Sequence, residues 1–391
     1  MRVGINASFL RKPSTGIGQV TRHFLEELSK NPDVVSKPEG EDVEFIVYLE
    51  EALPAGLRLS SRFSVRAFLP FLWKRDDLIR KMLWEKVSLP RRAKADGCDV
   101  LLSLYQSATV APKGTRHVML VHDIIPRIFP EYLNNSRKRT YQRLIEAAIK
   151  KADKIAVVSA YTRNDLVAQL GIMSRDVSVC YVDVDPLFRK SVSIGRAHDV
   201  MRKYHLHPGY IYLGGGLEKR KNAEGLLYAY AALLKTNKKQ EFIHDMPKLV
   251  ISGKLMPELA PLIVDVEALV KQLNLTGQVK ILGFVPQEEL PALYKQALFF
   301  VFPSLYEGFG LPVLEAMSQG TPVLTSHTTS LPEVGADTVM YCDPSDVSDM
   351  ARALRKLLLD KEYRAALGAR GKVRSQEFSW GKFAKRIARM V

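Results

Sequence analysis

The sequence predicts an α/β protein of two doubly wound domains, each a parallel sheet covered by helices, with a cleft between the domains. Three observations lead to this expectation. The chain has 391 residues, more than one hydrophobic core usually organises, so two domains are expected. Short apolar runs alternate with helical patterns, as is typical of βα units. The alternation stops in a polar linker at about residues 186–207 and then restarts.

The first domain is predicted over residues 1–190, with its strands at the short apolar runs. The first strand covers 2–7, and a polar loop with Gly16 and Gly18 then leads into a helix at about 18–30. Helical stretches separate the next predicted strands, which lie at 43–49, 99–104, 117–123, 154–160 and 176–184. Ligands of such sheets bind beyond the carboxyl ends of the strands, so motifs at those ends carry most weight.

The second domain is predicted over residues 191–375 and repeats the pattern. A helix is expected over 222–235, and the predicted strands lie at 210–216, 248–253, 278–284, 298–304 and 321–326. The last stretch of the chain, 376–391, is predicted to form an amphipathic basic helix.

Composition and charge narrow the class of protein. The net charge of +15 indicates an anionic partner, which could be a nucleic acid, a membrane surface or a phosphate-bearing substrate. Cys98, Cys180 and Cys342 lie far apart, a pattern that suits a reducing compartment and argues against structural zinc. The N-terminus lacks a signal-peptide core and no run approaches the roughly 20 apolar residues of a membrane span. We expect a soluble, cytoplasmic protein.

The stretch "LYEGFGLPVLEAMSQGTPVL" at 305–324 places Glu307 and Glu315 on either side of a glycine turn that opens a helix. Pro312 suits the first turn of that helix, and Gly320 suits the position just past its end. Free backbone N–H groups at such a helix start, together with the helix dipole, attract anions. The stretch predicts a ligand-binding turn, and an ordinary βα turn with surface carboxylates is the alternative.

The stretch "YLGGGLEKRKNAEGLL" at 212–227 combines a strand end, three glycines and two cations. Arg220 and Lys221 precede a helix for which Asn222 is the expected cap. Two cations beside a helix N-terminus predict a diphosphate site. A solvated basic loop is the alternative.

Two other motifs are less specific. His122 and Asp123 end a predicted strand, where the pair could bond a sugar hydroxyl, although a turn-capping pair is more frequent. The stretch "STGIGQV" at 14–20 resembles a phosphate-binding glycine loop. It holds only two glycines and begins well after the strand ends, so it is a poor dinucleotide fingerprint.

Asp183 and Asp185 form a D-x-D pair where a strand runs into the linker. Paired aspartates can hold Mg²⁺ or Mn²⁺ beside a nucleotide sugar. Because Pro186 follows, a turn at the linker is the favoured interpretation.

Segment 58–94 holds 11 Lys and Arg against 3 Asp and Glu, a net charge of +8. Aromatic residues are interleaved with these charges, at Phe63, Phe68, Phe71, Trp73 and Trp84. Such a composition suits a helix on an anionic membrane surface. A helix whose aromatic residues pack inward is an equal alternative, and no recognition motif supports nucleic-acid binding.

Taken together, these motifs resemble the retaining glycosyltransferases of family four, which have the GT-B fold of two Rossmann-like domains. "EGFGLPVLEAMSQGTPVLTS" resembles the family's E-x7-E signature, and "GGGLEKRKN" is similar to its nucleotide-diphosphate loop. "VHDIIP", "VSAYTRNDL" and "ILGFVPQEELPALYKQA" match in order and spacing. "FSWGKFAKRI" resembles the family's last helix, which packs back on the N-terminal domain.

The resemblance implies a role for each site residue. Glu315 would bond the donor ribose, Glu307 would lie beside the donor sugar, and His122 would reach that sugar from the opposite domain. Arg220 and Lys221 would neutralise the diphosphate. The implied catalytic residues are His122, Glu307, Arg220 and Lys221, and the implied donor-binding residues are Gly16, Gly18, Gly215, Gly216, Phe284, Gly308, Phe309, Gly310, Leu311 and Glu315.

Two departures from the family pattern affect the expected site. Gly216 stands where many members carry an arginine, so the phosphate charge would fall more heavily on Arg220 and Lys221. Asp183 replaces an Asn-Gly that often precedes the linker.

The resemblance implies transfer of a hexose, with mannose from GDP-mannose favoured, from a nucleotide-sugar donor to a glycan or polyprenyl-linked glycan acceptor. The N-terminal domain would bind the acceptor and the C-terminal domain the donor. Neither a metal nor another cofactor would be required, and the enzyme would lie at the inner face of the membrane. A GT-B epimerase and a basic nucleic-acid-binding protein are the alternatives. The E-x7-E signature argues against the epimerase, and no nucleic-acid partner is expected.

Overall fold

The computed structural model describes residues 1–31, 35, 42–68, 76–240 and 245–391 of the chain. The chain divides into two compact units. The first comprises Met1–Asp183 together with Ser379–Val391, and the second comprises Val184–Phe378. The boundaries predicted from the sequence lie at residues 190 and 376. The short stretches 184–190 and 376–378 belong to the second unit instead.

Parallel strands form the sheet of the first unit. In chain order, β1 to β7 are Arg2–Asn6, Glu44–Leu49, Phe63–Ala67, Val100–Ser103, Arg116–Val121, Lys154–Val157 and Val177–Val179. Within the described residues the sheet has seven strands in the order β3-β2-β1-β4-β5-β6-β7, and every neighbouring pair runs parallel. Its central strands are buried on both faces, which explains why they appear as continuous apolar runs.

Helices follow most of these strands. In chain order, α1 to α6 are Gly16–Lys30, Asp77–Leu83, Leu89–Ala95, Ile125–Ile128, Ser136–Lys151 and Ala160–Leu170. A π-helical turn at Trp84–Ser88 links α2 to α3. Helix α5 buries an apolar stripe that includes Ile145 and Ile149 and exposes its basic residues, which is the pattern of a surface helix on a sheet.

Three expectations about the first unit are wrong in detail. Gly16 and Gly18 do not lie in a loop before the helix, because α1 begins at Gly16. Segment 58–94 is not one helix, since it contains strand β3 and helices α2 and α3. The strand predicted over 176–184 is only Val177–Val179, after which the chain leaves the sheet.

The second unit repeats the architecture with a smaller sheet. In chain order, β8 to β13 are Tyr210–Leu213, Leu249–Ser252, Val279–Gly283, Ala297–Phe302, Val323–Ser326 and Met340–Cys342. These strands are all parallel and form a six-stranded sheet of order β10-β9-β8-β11-β12-β13 within the described residues. The predicted doubly wound α/β architecture is therefore confirmed in both units.

Helices α7 to α14 belong to the second unit. They are Ile194–Lys203, Ala223–Gln240, Val266–Gln272, Leu290–Gln296, Leu311–Ser318, Leu331–Gly335, Val347–Leu359 and Lys361–Ser375. The predicted polar linker at 186–207 is wrong in part, because α7 lies within it. That helix is capped by Ser193, whose hydroxyl accepts from the N–H of Arg196, and it buries a stripe that includes Val200 and Met201.

The last helix, α15, covers Trp380–Ala388 and packs on α1 of the first unit. The rings of His23 and Trp380 stack with centroids 4.9 Å apart, and the rings of Phe24 and Phe383 meet edge to face at 6.1 Å. The apolar face of an amphipathic helix is thus covered by aromatic side chains of α1.

Chain order reverses beside β8, where β9 lies on one side and β11 on the other. Such a reversal opens a crevice at the carboxyl ends of the two central strands, and ligands of doubly wound sheets bind there. The glycines at 214–216 directly follow β8, and the stretch 303–310 directly follows β11. Both motifs singled out in the sequence therefore meet at this position.

Candidate functional site

The two loops at the reversal are in direct contact. Gly215 has a φ of +92°, and a Cβ atom added there would lie 2.8 Å from Cγ of Pro312. Pro312 occupies the first turn of α11, and Gly310 is the residue that caps this helix. A side chain at position 215 would thus push the loop after β8 away from the start of α11. Gly216 follows with a φ of +106°.

Glu307 accepts three hydrogen bonds on one carboxylate oxygen. Nη1 of Arg220, Nζ of Lys221 and Oγ of Ser304 lie 2.8, 2.8 and 2.9 Å from its Oε1 atom. All three ion-pairing side chains are at most 10% exposed. Glu307 therefore does not stand apart from the cations, since the loop after β8 brings Arg220 and Lys221 onto its carboxylate.

These contacts set the charge of Glu307. Burial alone would raise the pKa of Glu307, but the charges of Lys221 and Arg220 outweigh burial, and the net effect is a lowered pKa. The carboxylate is consequently ionised at neutral pH, and it holds two cations in fixed positions. Nζ of Lys221 also lies 4.8 Å from the centroid of the Phe302 ring at the end of β11.

Backbone and hydroxyl contacts fix the turn around Glu307. The N–H of Glu307 donates to Oγ1 of Thr329 at 3.3 Å, and Oγ of Ser330 lies 2.9 Å from the carbonyl oxygen of Glu307 and 2.8 Å from that of Phe309. Ser304, Thr329 and Ser330 are not among the site residues predicted from the sequence. The cluster of small hydroxyl residues after β12 is the signal that could have pointed to the last two.

Arg220 is held by further acceptors. Its Nη1 donates to the carbonyl oxygen of Tyr306 at 2.9 Å, and its Nη2 donates to Oε2 of Glu218 at 3.2 Å. The backbone carbonyl of Arg220 accepts from the N–H of Leu305 at 2.7 Å. Side chain and backbone together thus join the loop after β8 to the loop after β11.

Glu315 lies on α11 in an environment opposite to that of Glu307. It is 7% exposed, and its Oε2 accepts from the hydroxyl of Tyr294 at 2.8 Å. Burial raises the pKa of Glu315 to about 7, although the Tyr294 bond and the charge of Lys221 lower it in part. The two glutamates of one turn therefore have pKa values shifted in opposite directions, because only one of them has cations as direct partners.

Asn222 caps helix α8 as predicted. Its Oδ1 accepts from the N–H of Gly225 at 3.2 Å, and its Nδ2 donates to the carbonyl oxygen of Pro344 at 2.7 Å. The residue has a left-handed backbone with a φ of 61°, which asparagine tolerates better than most residues. The cap fixes the start of α8 directly after the two cations.

His122 lies at the end of β5 in the first unit and is largely buried. Its Nε2 lies 2.9 Å from the carbonyl oxygen of Leu104, so this nitrogen carries the hydrogen. Burial lowers the pKa of His122 to about 4, and the ring is neutral at physiological pH. Asp123 accepts at Oδ1 from the N–H of Ile125 at 3.0 Å, which is the turn-capping contact. The sugar contact of His122 stays a prediction.

Close packing explains why residue 18 is a glycine. A Cβ atom at this position would lie 2.1 Å from the carbonyl oxygen of Lys12. Thr15 caps the helix, because its Oγ1 accepts from the N–H of Gly18 at 3.1 Å. The first turn of α1 therefore packs tightly on the loop before it, and Gly16 and Gly18 lie in this helical turn. Their part in donor binding stays a prediction.

Phe284 follows β10 and is 66% exposed, whereas the neighbouring Val285 is buried.

At the linker, Asp185 accepts from the N–H of Leu187 at 2.8 Å, which supports the turn interpretation of the D-x-D pair. Among the described residues, no group of three or more His, Cys, Asp or Glu side chains could hold a metal ion.

The aromatic residues of segment 58–94 divide between core and surface. Trp84 is 2% exposed and the ring of Phe63 stacks on β2, so the inward-packing alternative is correct for these two. Phe68 is exposed. Phe71 and Trp73 lie outside the described residues. No helix within the described ranges has both the length and the apolar character that a membrane span requires.

Comparisons with known sequences agree with the two-unit division. A family profile described as Glycosyltransferase Family 4 matches residues 14–186, and one described as Glycosyl transferases group 1 matches residues 205–374. O-antigen chain mannosyltransferase B of Escherichia coli is 35% identical over 270 residues, which are 68% of this chain and 67% of that protein. Serotype-specific mannosyltransferase WbdA of Escherichia coli is 33% identical over 271 residues, which are 68% of this chain but only 32% of WbdA.

A solved structure shows the same architecture. WaaG, a glycosyltransferase involved in lipopolysaccharide biosynthesis, superposes with a TM-score of 0.72 at 16% identity, covering 99% of this chain and 98% of that chain. At this identity the likeness establishes the fold alone.

Proposed function

Because this chain belongs to the GT-B glycosyltransferases of family 4, we propose that it transfers mannose from GDP-mannose to a glycan or lipid-linked glycan, with retention of configuration and without a metal. The observation that carries the proposal is the joint contact of Arg220 and Lys221 with Glu307 at the reversal of the second sheet.

The leaving group of such a reaction is a nucleoside diphosphate, whose developing negative charge must be stabilised. Two buried cations held in place before the substrate arrives do this without reorganisation. The ammonium of Lys221 has three N–H donors, and within the described part of the chain only the bond to Glu307 uses one. The others can meet phosphate oxygens.

The proposed metal independence is based on the same two cations. In enzymes that use Mg²⁺ on phosphates, the ion neutralises the developing charge. Arg220 and Lys221 supply two positive charges at the corresponding place, and we propose that they replace the ion. Turnover that is unaffected by EDTA is the expected result, and a strict requirement for added Mg²⁺ or Mn²⁺ would contradict this part of the proposal.

The carboxyl group of Glu315 suits a ribose hydroxyl. A pKa of about 7 leaves the protonated and ionised forms similarly populated at neutral pH. The ionised form accepts a hydrogen bond, and the protonated form can also donate one, so either form can pair with a hydroxyl group. Tyr294 holds the carboxyl in place.

Mannose and a polysaccharide product are proposed from the two relatives that are named mannosyltransferases. The direct test is incubation of the purified protein with GDP-mannose and a mannose-terminated oligosaccharide. Proton NMR of the product should show the α-anomer of the donor retained. A product with the β-anomeric linkage would overturn retention. A product formed only with UDP- or ADP-sugars would overturn the donor assignment.

Two alternatives give different products in the same assay. An epimerase would convert the sugar nucleotide with no acceptor present. A nucleic-acid-binding protein would bind any duplex in a salt-dependent manner and leave GDP-mannose intact. The two cations of the loop after β8, both paired with Glu307 of the loop after β11, favour transfer over both.

Attachment to the inner face of the membrane through segment 58–94 remains a proposal that rests on its charge of +8. Flotation with liposomes tests it. Binding should rise with the fraction of anionic lipid and fall with salt, and binding that is indifferent to anionic lipid would reject the idea.

A further inference from the structure

The first unit contains a cavity that the proposed chemistry of the second unit does not use. Its volume is about 210 Å³, and its lining includes Lys81, Asp123, Leu133, Lys138, Tyr141 and Gln142. At about 30 Å³ for each molecule, roughly seven waters would fill it. The cavity therefore has room for one small ring and not for a long chain.

Lys81 of α2 is one of the two lysines that line this cavity. Its Nζ lies 5.2, 5.5 and 5.2 Å from the ring centroids of Phe9, Tyr105 and Tyr141. In the part of the chain that the structure describes, the ammonium makes no hydrogen bond and no ion pair. Burial lowers the pKa of Lys81, which the charge of Glu85 opposes. An ammonium with three donors and only ring faces as partners is available to a ligand that brings acceptor oxygens.

Glu85 balances the charge of Lys81 without using its donors. The carboxylate is buried, and its oxygens accept from the hydroxyl of Tyr105 at 3.0 Å, the hydroxyl of Tyr141 at 2.7 Å and the N–H of Ala108 at 2.8 Å. The same two tyrosine rings thus lie against Lys81 and donate to Glu85. Charge balance explains why Lys81 is tolerated there, where it lines the cavity.

The lining indicates a neutral polyol rather than an anion. Lys81 and Lys138 are donors, the carboxylate of Asp123 is an acceptor, and the amide of Gln142 is both. A phosphate would meet the like charge of Asp123, whereas hydroxyl groups can pair with all of these side chains. The rest of the wall is largely aliphatic or aromatic, which suits the C–H face of a sugar ring.

We propose that this cavity binds one neutral sugar ring of the acceptor glycan and that Lys81 donates hydrogen bonds to its hydroxyl groups. The inference rests on the proposed function, which supplies the glycan. Asp123 directly follows His122 at the end of β5, so the cavity adjoins the carboxyl edge of the first sheet, where ligands of doubly wound sheets bind.

The test is direct sugar binding to the full chain, which needs no donor and no turnover. Methyl α-mannoside and mannobiose are titrated by ligand-observed NMR into the wild type, Lys81→Met, Leu133→Trp and the control Lys86→Met. Lys86 is exposed and follows α2 in the π-helical turn. Leu133→Trp narrows the cavity and leaves Lys81 and Glu85 in place. Inorganic phosphate is added as a competitor, and thermal unfolding of each variant is recorded.

Lys81→Met should weaken sugar binding by about tenfold or more, because a hydrogen bond to a charged group is lost. Leu133→Trp should weaken it similarly with unchanged unfolding, and Lys86→Met should bind like the wild type. Binding within twofold of wild type in both cavity variants, absence of any sugar binding by the wild type, or displacement of the sugar by millimolar phosphate would each overturn the inference. Sugar binding without transfer from GDP-mannose would instead count against the proposed function.

Discussion

Replacing Glu307 by glutamine tests whether this carboxylate holds the two cations of the second unit in place. Glutamine keeps the size and an acceptor oxygen but removes the charge. Arg220 and Lys221 would then face each other's charge without their shared partner. Each N–O pair at 2.8 Å is worth roughly 6 kcal/mol at an effective dielectric constant of about 20, before desolvation is subtracted.

Measured losses for one partner of a buried ion pair are about 3–5 kcal/mol. For a unit of this size, each kcal/mol lowers Tm by about 2–4 °C, so Glu307→Gln should unfold about 6–20 °C below the wild type. GDP should reverse part of this loss, because the diphosphate replaces the missing negative charge. GDP at about 100 times the wild-type Kd adds about 2.7 kcal/mol to the wild type. The same GDP concentration should add more to the variant, because the variant binds the diphosphate more tightly.

Differential scanning calorimetry with and without GDP measures both effects. Glu224→Gln, on the exposed face of α8, is the matched control. It should change Tm by less than about 2 °C, since exposed substitutions usually change the free energy of unfolding by no more than about 0.5 kcal/mol. A Tm for Glu307→Gln within 2 °C of the control, or a smaller response to GDP than in the wild type, would refute the argument that Glu307 is the shared anionic partner.

Three further predictions concern other parts of the structure. Because the folded pKa of Glu315 is raised to about 7, ionisation of this carboxyl costs stability that grows as pH rises from its unfolded value to about 7. The free energy of unfolding of Glu315→Gln should therefore exceed that of the wild type by about 3 kcal/mol at pH 8, and this difference should shrink toward pH 5. A difference in urea unfolding that does not depend on pH would contradict the prediction. Lys221→Ala should lower kcat by a factor of about 10² to 10³ with the protein still folded by circular dichroism, and wild-type turnover would remove the phosphate assignment. Gly18→Ala should destabilise the first unit by about 1–3 kcal/mol because its Cβ meets the carbonyl of Lys12, and unchanged unfolding in urea would show that the loop before α1 yields freely.

The sequence predicted most of the strands because a strand covered on both faces has to be apolar throughout. Strand β3 was not predicted, because it is not covered on both faces and its sequence is not a continuous apolar run. Phe63–Ala67 is largely exposed at the edge of the sheet, and its arginine and serine hide the pattern. Helix α7 was missed because its short apolar stripe lies within a polar stretch, where the cap at Ser193 is the stronger signal.

The candidate site was predicted as two separate motifs with separate tasks. Glycine turns, helix starts and their caps are local, so spacing in the sequence is enough to locate them. The ion pair between Arg220 and Glu307 joins residues 87 positions apart, and nothing in either motif indicates that the carboxylate would accept from both cations. Ser304 became part of the site only because the end of β11 places its hydroxyl on the same oxygen.

By itself, the sequence determined the α/β class, the two doubly wound units and the position of the glycine turns, because periodicity, glycine and proline act on the nearby backbone. The tertiary structure alone decided the charges of the two glutamates. Both are buried on the same turn and helix, yet Glu307 receives two cations and stays ionised, while Glu315 receives a tyrosine hydroxyl and titrates near neutral pH. The desolvation of each carboxyl group and its charged partners depend on which strands are neighbours in the sheet. The spacing of residues along the chain does not specify that strand order.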